Sequence, residues 1–143
     1  CFIEGTTDFI FGNATCIFNN CIIKSLTNSF VTAASTSQKQ KFGYVFMHCK
    51  LIGNDEAKDV FLGRPWRAYS RVVFMYCELG KHIKPEGWNN WGKTENETTA
   101  YYAEYMNVGE GSNTSQRAKW THTLSKKEAK KYTIENIFKD WKP

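Results

Sequence analysis

No part of the 143-residue chain is apolar for long. The longest uninterrupted run, Val72 to Cys77, falls far short of the roughly 20 residues needed to cross a bilayer as a helix, so a membrane-spanning helix is excluded. No charged leader or signal-type apolar stretch opens the sequence, and its first residue is Cys1; the chain reads as a piece of a longer one. The five cysteines and three histidines contain no Cys-x-x-Cys and no His-x-x-x-His pair, the spacings from which a zinc site would be built. The odd number of cysteines argues against a complete disulfide framework, although one bridge stays open. A Gly-rich phosphate loop, a serine nucleophile elbow and a His-Glu metal helix are also missing. Surplus charge is missing from most of the chain as well. Residues 1–116 hold 11 Lys/Arg and 11 Asp/Glu, so the net +5 comes wholly from residues 117–143, with 8 and 3. That placement speaks for a solvated helix face and against a basic groove for nucleic acid.

What is present is an ordinary globular composition. Apolar residues make up 41%, and the ten glycines bring the total into the usual range, which excludes a disordered or collagen-like chain. Three segments align without gaps: Ile17–Ile23, Val45–Leu51 and Val73–Leu79, with Cys21, Cys49 and Cys77 spaced 28 residues apart. Cys1-Phe2-Ile3 carries the end of the same pattern. Second strand-like runs, Phe9–Phe11, Phe30–Thr32 and Val60–Leu62, lie between them. One β-rich unit per 20 to 30 residues indicates a solenoid, and a parallel β-helix satisfies the pattern better than a β-sandwich, which needs no fixed recurrence. Stacking coils about 4.8 Å apart predicts a column of Phe18, Phe46 and Phe74 and a ladder of Cys21, Cys49 and Cys77 as small buried hydrophobes. Coils and loops are expected over 1–110, with a further strand near Thr99–Tyr105. A helical tail is expected over 125–141. Ser125-Lys126-Lys127-Glu128 forms a capping box there, and Ile134, Ile137, Phe138 and Trp141 have the spacing of an apolar stripe.

The sharpest local feature is Gly5-Thr6-Thr7-Asp8-Phe9-Ile10-Phe11-Gly12-Asn13-Ala14, which sets an aspartate at the start of an apolar strand. A carboxylate there needs a partner, and arginine can bond it at two points. Arg64, in Leu62-Gly63-Arg64-Pro65-Trp66, has the most telling context. The pair is either a structural brace or the heart of an active site, and Trp66 offers a flat face for a sugar ring.

These motifs carry a resemblance to the pectin methylesterases (pectinesterases). Residues 5–14 resemble the family's nucleophile motif, in which Thr7 stands where the family usually has Val. Leu62–Trp66 matches its signature, Thr32–Phe46 resembles the middle coil of bacterial members, and Tyr101–Trp120 resembles the closing segment. The resemblance runs from Cys1 to Pro143. It implies a right-handed parallel β-helix with short C-terminal helices in a single catalytic domain, and hydrolysis of C6 methyl esters in pectin. It further implies Asp8 as nucleophile, Arg64 as the residue that orients it, Trp66 as a sugar contact, and Tyr69 and Trp91 as walls of the same cleft. Trp88 and Trp91 are equally open to a packing role. No cofactor and no metal are expected. The partner is methyl-esterified homogalacturonan, with no nucleic acid and no membrane, bound by a monomer in a secreted, extracellular or periplasmic setting.

The family also uses a glutamine and a second aspartate about one coil upstream of the nucleophile. Glu4, the only other acid before Asp8, does not match, so little activity is expected of the chain alone. The rival readings are a non-catalytic carbohydrate-binding β-helix and a lyase of the same fold, though the latter would need clustered acidic Ca²⁺ ligands where residues 1–59 show only scattered ones. Sequons stand at Asn13, Asn96 and Asn113; they matter only in a eukaryotic secretory host.

Overall fold

A computed structural model of the chain describes residues 1–139 and Trp141. Among the described residues, twelve short strands wind into coils, and each complete coil contributes one strand to each of three parallel faces. The first coil runs through β1 (Phe2–Gly5), β2 (Ile10–Gly12) and β3 (Cys16–Asn19). The second runs through β4 (Ile22–Ser25), β5 (Phe30–Ala34) and β6 (Tyr44–Met47), and the third through β7 (Lys50–Gly53), β8 (Phe61–Gly63) and β9 (Arg71–Met75). A partial fourth follows with β10 (Glu78–Leu79) and β11 (Tyr101–Tyr105), and β12 (His122–Thr123) adds a last rung. The faces are ordered β1-β4-β7-β10, β2-β5-β8 and β12-β11-β9-β6-β3. The expected parallel β-helix is the fold.

Its core is built in columns. Phe18, Phe46 and Phe74 stack with ring centroids 4.5 and 4.3 Å apart and planes within 7° and 4° of parallel. Cys21, Cys49 and Cys77 form the buried ladder beside them, and all five cysteines are free. Their thiols lie against main-chain carbonyls, Cys49 Sγ 3.2 Å from Phe18 O and Cys77 Sγ 3.5 Å from Phe46 O. Each aligned segment proves to be two strands joined at a corner. The corner residues Asn20, His48 and Tyr76 have φ of 57°, 54° and 56°, the left-handed region in which one residue can swing the chain between faces. That bend keeps both the phenylalanine before it and the cysteine after it pointing inward. Asn and His adopt this conformation more readily than most residues, whereas the bulky Tyr is strained in it; His48 and Tyr76 stack on each other at 5.2 Å.

The tail is less helical than the stripe suggested. The single turns α1 (Asn96–Thr99), α2 (Lys126–Ala129) and α3 (Ile134–Ile137) are the helices among the described residues, so Thr99 ends a helical turn and the strand expected there begins at Tyr101. The Ser125/Glu128 capping box is formed in full. Ile137 is buried and Phe138 packs beside Val45, Val73 and Met75, but Ile134 and Trp141 are 55% and 62% exposed. With α3 only four residues long, the helix ends before the i, i+7 spacing can align one face. The part of the expected tail at Asp140 lies outside the described residues. No described helix is long and apolar enough to cross a membrane.

Candidate active site

Asp8 sits where the chain turns from the first face to the second. Its φ of 53° is again left-handed, a conformation that Asp adopts more easily than most residues, and its backbone N–H donates to Phe30 O at 2.8 Å. Arg64 follows β8 two coils further on. Its N–H donates to Thr32 O at 3.0 Å, and Trp66 N–H continues the ladder to Ala34 O at 2.9 Å. The glycine of the Leu62–Trp66 motif has a packing reason: a side chain at Gly63 would collide with Thr32 and Trp88.

Asp8 and Arg64 therefore lie on one face with an intervening coil between them, roughly 9–10 Å along the axis. The long arginine side chain spans that gap and closes a two-point fork. Nε donates to Asp8 Oδ1 at 3.0 Å and Nη2 to Oδ2 at 2.6 Å. The guanidinium is sandwiched between the rings of Phe30 and Trp91, each centroid 3.9 Å from Cζ. Phe30 is in turn stacked on Phe61 at 5.1 Å. Two ring faces on a cation restrict it to one plane, and that plane contains the carboxylate. The pair remains open to solvent, with side chains 23% and 21% exposed. A cavity of about 360 Å³ opens over it, lined by Asp8, Phe11, Ala33, Trp66 and Trp91. Phe11 and Trp66 meet edge to face at 6.2 Å. Ala33, paired with Phe11 across β2 and β5, keeps the floor low.

The structure thus brings together Asp8, Arg64, Trp66 and Trp91. Tyr69 is 37% exposed on the turn after Trp66 and is not among the residues lining the cavity. Trp88 is fully buried beneath, stacked on Tyr102 at 4.4 Å. Of the two readings open for it, packing is the one it fills. Sequence reasoning missed the cleft roles of Phe11, Phe30 and Ala33. Once the strand-like runs are registered one above another, Phe30 falls between Asp8 and Arg64, and that signal was available.

Behind the cleft lies a buried ion pair that periodicity did not suggest. Glu104 accepts from Arg117 Nε at 2.7 Å and Nη2 at 3.0 Å, and from Trp88 Nε1 at 3.3 Å. Arg117 spends its remaining N–H groups on the carbonyls of Lys84, Pro85 and Gly111. The segment so anchored, 84–92, carries both Trp88 and Trp91.

The family model for pectinesterase matches residues 1–140. The chain is 43% identical to putative pectinesterase 11 of Arabidopsis thaliana, an alignment covering 99% of this chain and 41% of that protein. It is 42% identical to pectinesterase 31 of the same plant, over 90% and 41%. Among solved structures, pectin methylesterase from carrot superposes with a TM-score of 0.89 at 34% identity, covering 96% of this chain and 48% of that one. A pectin methylesterase in complex with a hexasaccharide gives 0.82 at 29%, covering all of this chain and 50% of that one. The chain spans about two-fifths of the length of these curated relatives and about half of the solved chains. Fold, motifs and the family match agree along nearly the whole sequence, and the chain belongs to the pectinesterase family.

Proposed function

We propose that the cleft hydrolyses the C6 methyl esters of galacturonate units in pectin, releasing methanol and leaving free carboxylates. The observation that carries this reading is the two-point Asp8–Arg64 fork at the base of an aromatic cleft. Asp8 attacks the ester carbonyl carbon and the C=O pair moves onto oxygen. Collapse of that intermediate expels the methoxy group, which leaves as methanol with a proton, and an acyl-enzyme remains. Water then adds to the same carbonyl, restores the Asp8 carboxylate and frees the galacturonate. Arg64 grips both carboxylate oxygens and fixes the plane from which Asp8 attacks, and Phe30 and Trp91 hold Arg64. Trp66 and Trp91 flank the sugar, and Tyr69, exposed on the turn after Trp66, meets the polymer outside the cavity.

The departing methanol needs a proton, and Asp8 is the one carboxyl group lining the cleft among the described residues. Taken alone, the chain therefore works without a general acid, at a cost of roughly 10²–10⁴ in rate. Because the substrate is a cell-wall polymer, the working setting is extracellular or periplasmic, and the protein acts as a monomer.

The test is Asp8→Asn in the full-length protein, read as methanol release from methylated pectin. Turnover should fall by at least about 10³ with pectin binding retained. Unchanged turnover would convert the fork into a structural brace and the protein into a carbohydrate-binding β-helix.

A further inference from the structure

A second cavity, of about 380 Å³, opens between the loop after β5 and the C-terminal tail. Lys39, Lys41 and Lys139 line it with Gln40, Asn136 and Trp141, and no carboxylate faces it among the described residues. We propose that this cavity binds a stretch of free uronate, the de-esterified product of the cleft; the identity of the ligand rests on the esterase reading above.

Four observations converge. First, the cavity gathers three ammonium groups with no carboxylate among the described residues that line it. The larger cavity of about 610 Å³ over the first face also holds three lysines, Lys50, Lys58 and Lys81, but it includes Asp55 and Glu78, and Lys50 is paired with Glu78 at 3.4 Å. Second, Trp141 stands 62% exposed on the rim, 5.7 Å from Phe138. A large aromatic face left to water beside cations suits a ring that is apolar on its faces and anionic at its edge. Third, Asn136 lines the cavity and, with one amide N–H given to Lys131 O, keeps its other N–H and its oxygen for sugar hydroxyls.

Fourth, the loop wall is fixed to the turn that follows the cleft strand β2. Gln40 Nε2 donates to Asn13 O at 2.8 Å and Thr15 Oγ1 at 3.2 Å, and Thr15 Oγ1 donates to Phe42 O at 2.8 Å. Thr15 lines this cavity and Phe11 lines the cleft, so the two are separated by at most about 14 Å of chain. A single polymer reaches both. Each ester removed adds one negative charge to the polymer, so the cavity favours what the cleft has already processed and anchors the enzyme at the edge of a de-esterified stretch.

Calorimetric titration of the full chain with a de-esterified oligogalacturonate, and with the fully methyl-esterified oligomer of equal length, tests this. The acid form should bind about tenfold or more tightly, with an advantage that shrinks as salt rises. The triple substitution Lys39→Gln, Lys41→Gln and Lys139→Gln should cost about tenfold in affinity, and Trp141→Ala about threefold. The same glutamine substitutions at Lys50, Lys58 and Lys81 should leave binding unchanged. Equal affinity for the two oligomers, or equal losses from the two triple substitutions, would overturn the site. Competition by an oligonucleotide of matching charge at equal concentration would overturn its assignment to uronate. Binding is read without turnover, so active Asp8→Asn would undo the esterase while leaving this cavity standing, and the converse also holds.

Discussion

From Cys1 to Leu79 the buried side chains mostly have a counterpart one coil away, whereas from Gly80 onward almost every anchor occurs once. In the first region stability is distributed: Phe46 is held between Phe18 and Phe74, and Cys49 lies between Cys21 and Cys77. In the second it is concentrated: Arg117 alone ties the 84–85 loop, β11 and the Gly111 turn together. The cleft draws on both. Asp8, Phe30 and Arg64 come from the repeating coils and Trp91 from the segment clamped by Arg117. A repeat supplies regular spacing, and a single-copy clamp supplies a wall of a shape that the repeat cannot make.

The comparison breaks most visibly at Phe46. Phe46→Ala should cost about 3–5 kcal/mol in urea unfolding, because it empties the middle of a filled column. Next, Arg117→Met should cost about 3 kcal/mol, since Glu104 is left buried with a charge and one indole donor. Replacing both partners, Glu104→Met with Arg117→Leu, should recover most of that stability while leaving the 84–92 segment less uniquely placed. A double variant as unstable as the single one would mean that the pair contributes net stability rather than specificity.

His82 marks the border between the regions, its ring packed against Gly53 and Gly80, and burial lowers its pKa from the ordinary 6.5. A histidine kept neutral by the fold takes up its proton more readily when unfolded. Its contribution is therefore fully present above about pH 6.5 and is lost as pH falls through the lower folded value. His82→Gln should flatten the stability-versus-pH curve in that acidic window. The smallest effect is expected at the tail: Ser125→Ala removes one side of the capping box and should cost about 1 kcal/mol, read as a slight fall in Tm. Acceptance of the Ser125 N–H holds the Glu128 carboxyl below its usual range, so that part of the cap weakens as pH falls through the lowered value.

The same contrast explains what could be read from the residues. The phenylalanine column and the cysteine ladder were legible because a repeat turns sequence distance into spatial distance, and the Asp8–Arg64 partnership because a carboxylate in an apolar strand demands a two-point partner. Trp91 was half legible. The resemblance implied a place on the cleft wall, with packing equally open, but its stacking on Arg64 depends on a loop placed by Arg117, for which no periodicity exists. Glu104 could have been found by the logic applied to Asp8, since an acid in the strand Tyr101–Tyr105 also demands a partner. Ile134 and Trp141 misled for a physical reason: an apolar stripe needs at least two helical turns to become a face, and α3 has one.

The arginine fork also limits how the gene can change. Reaching from the third coil to the first across a whole intervening coil, it counts coils. Insertion or deletion of one repeat between Asp8 and Arg64 moves the two apart or together by nearly 5 Å and breaks the contact. Residues added to the outward loop at 54–59 leave the coil count unchanged. Length variation among descendants of this sequence should therefore gather in such loops, with the number of coils between the two residues held fixed.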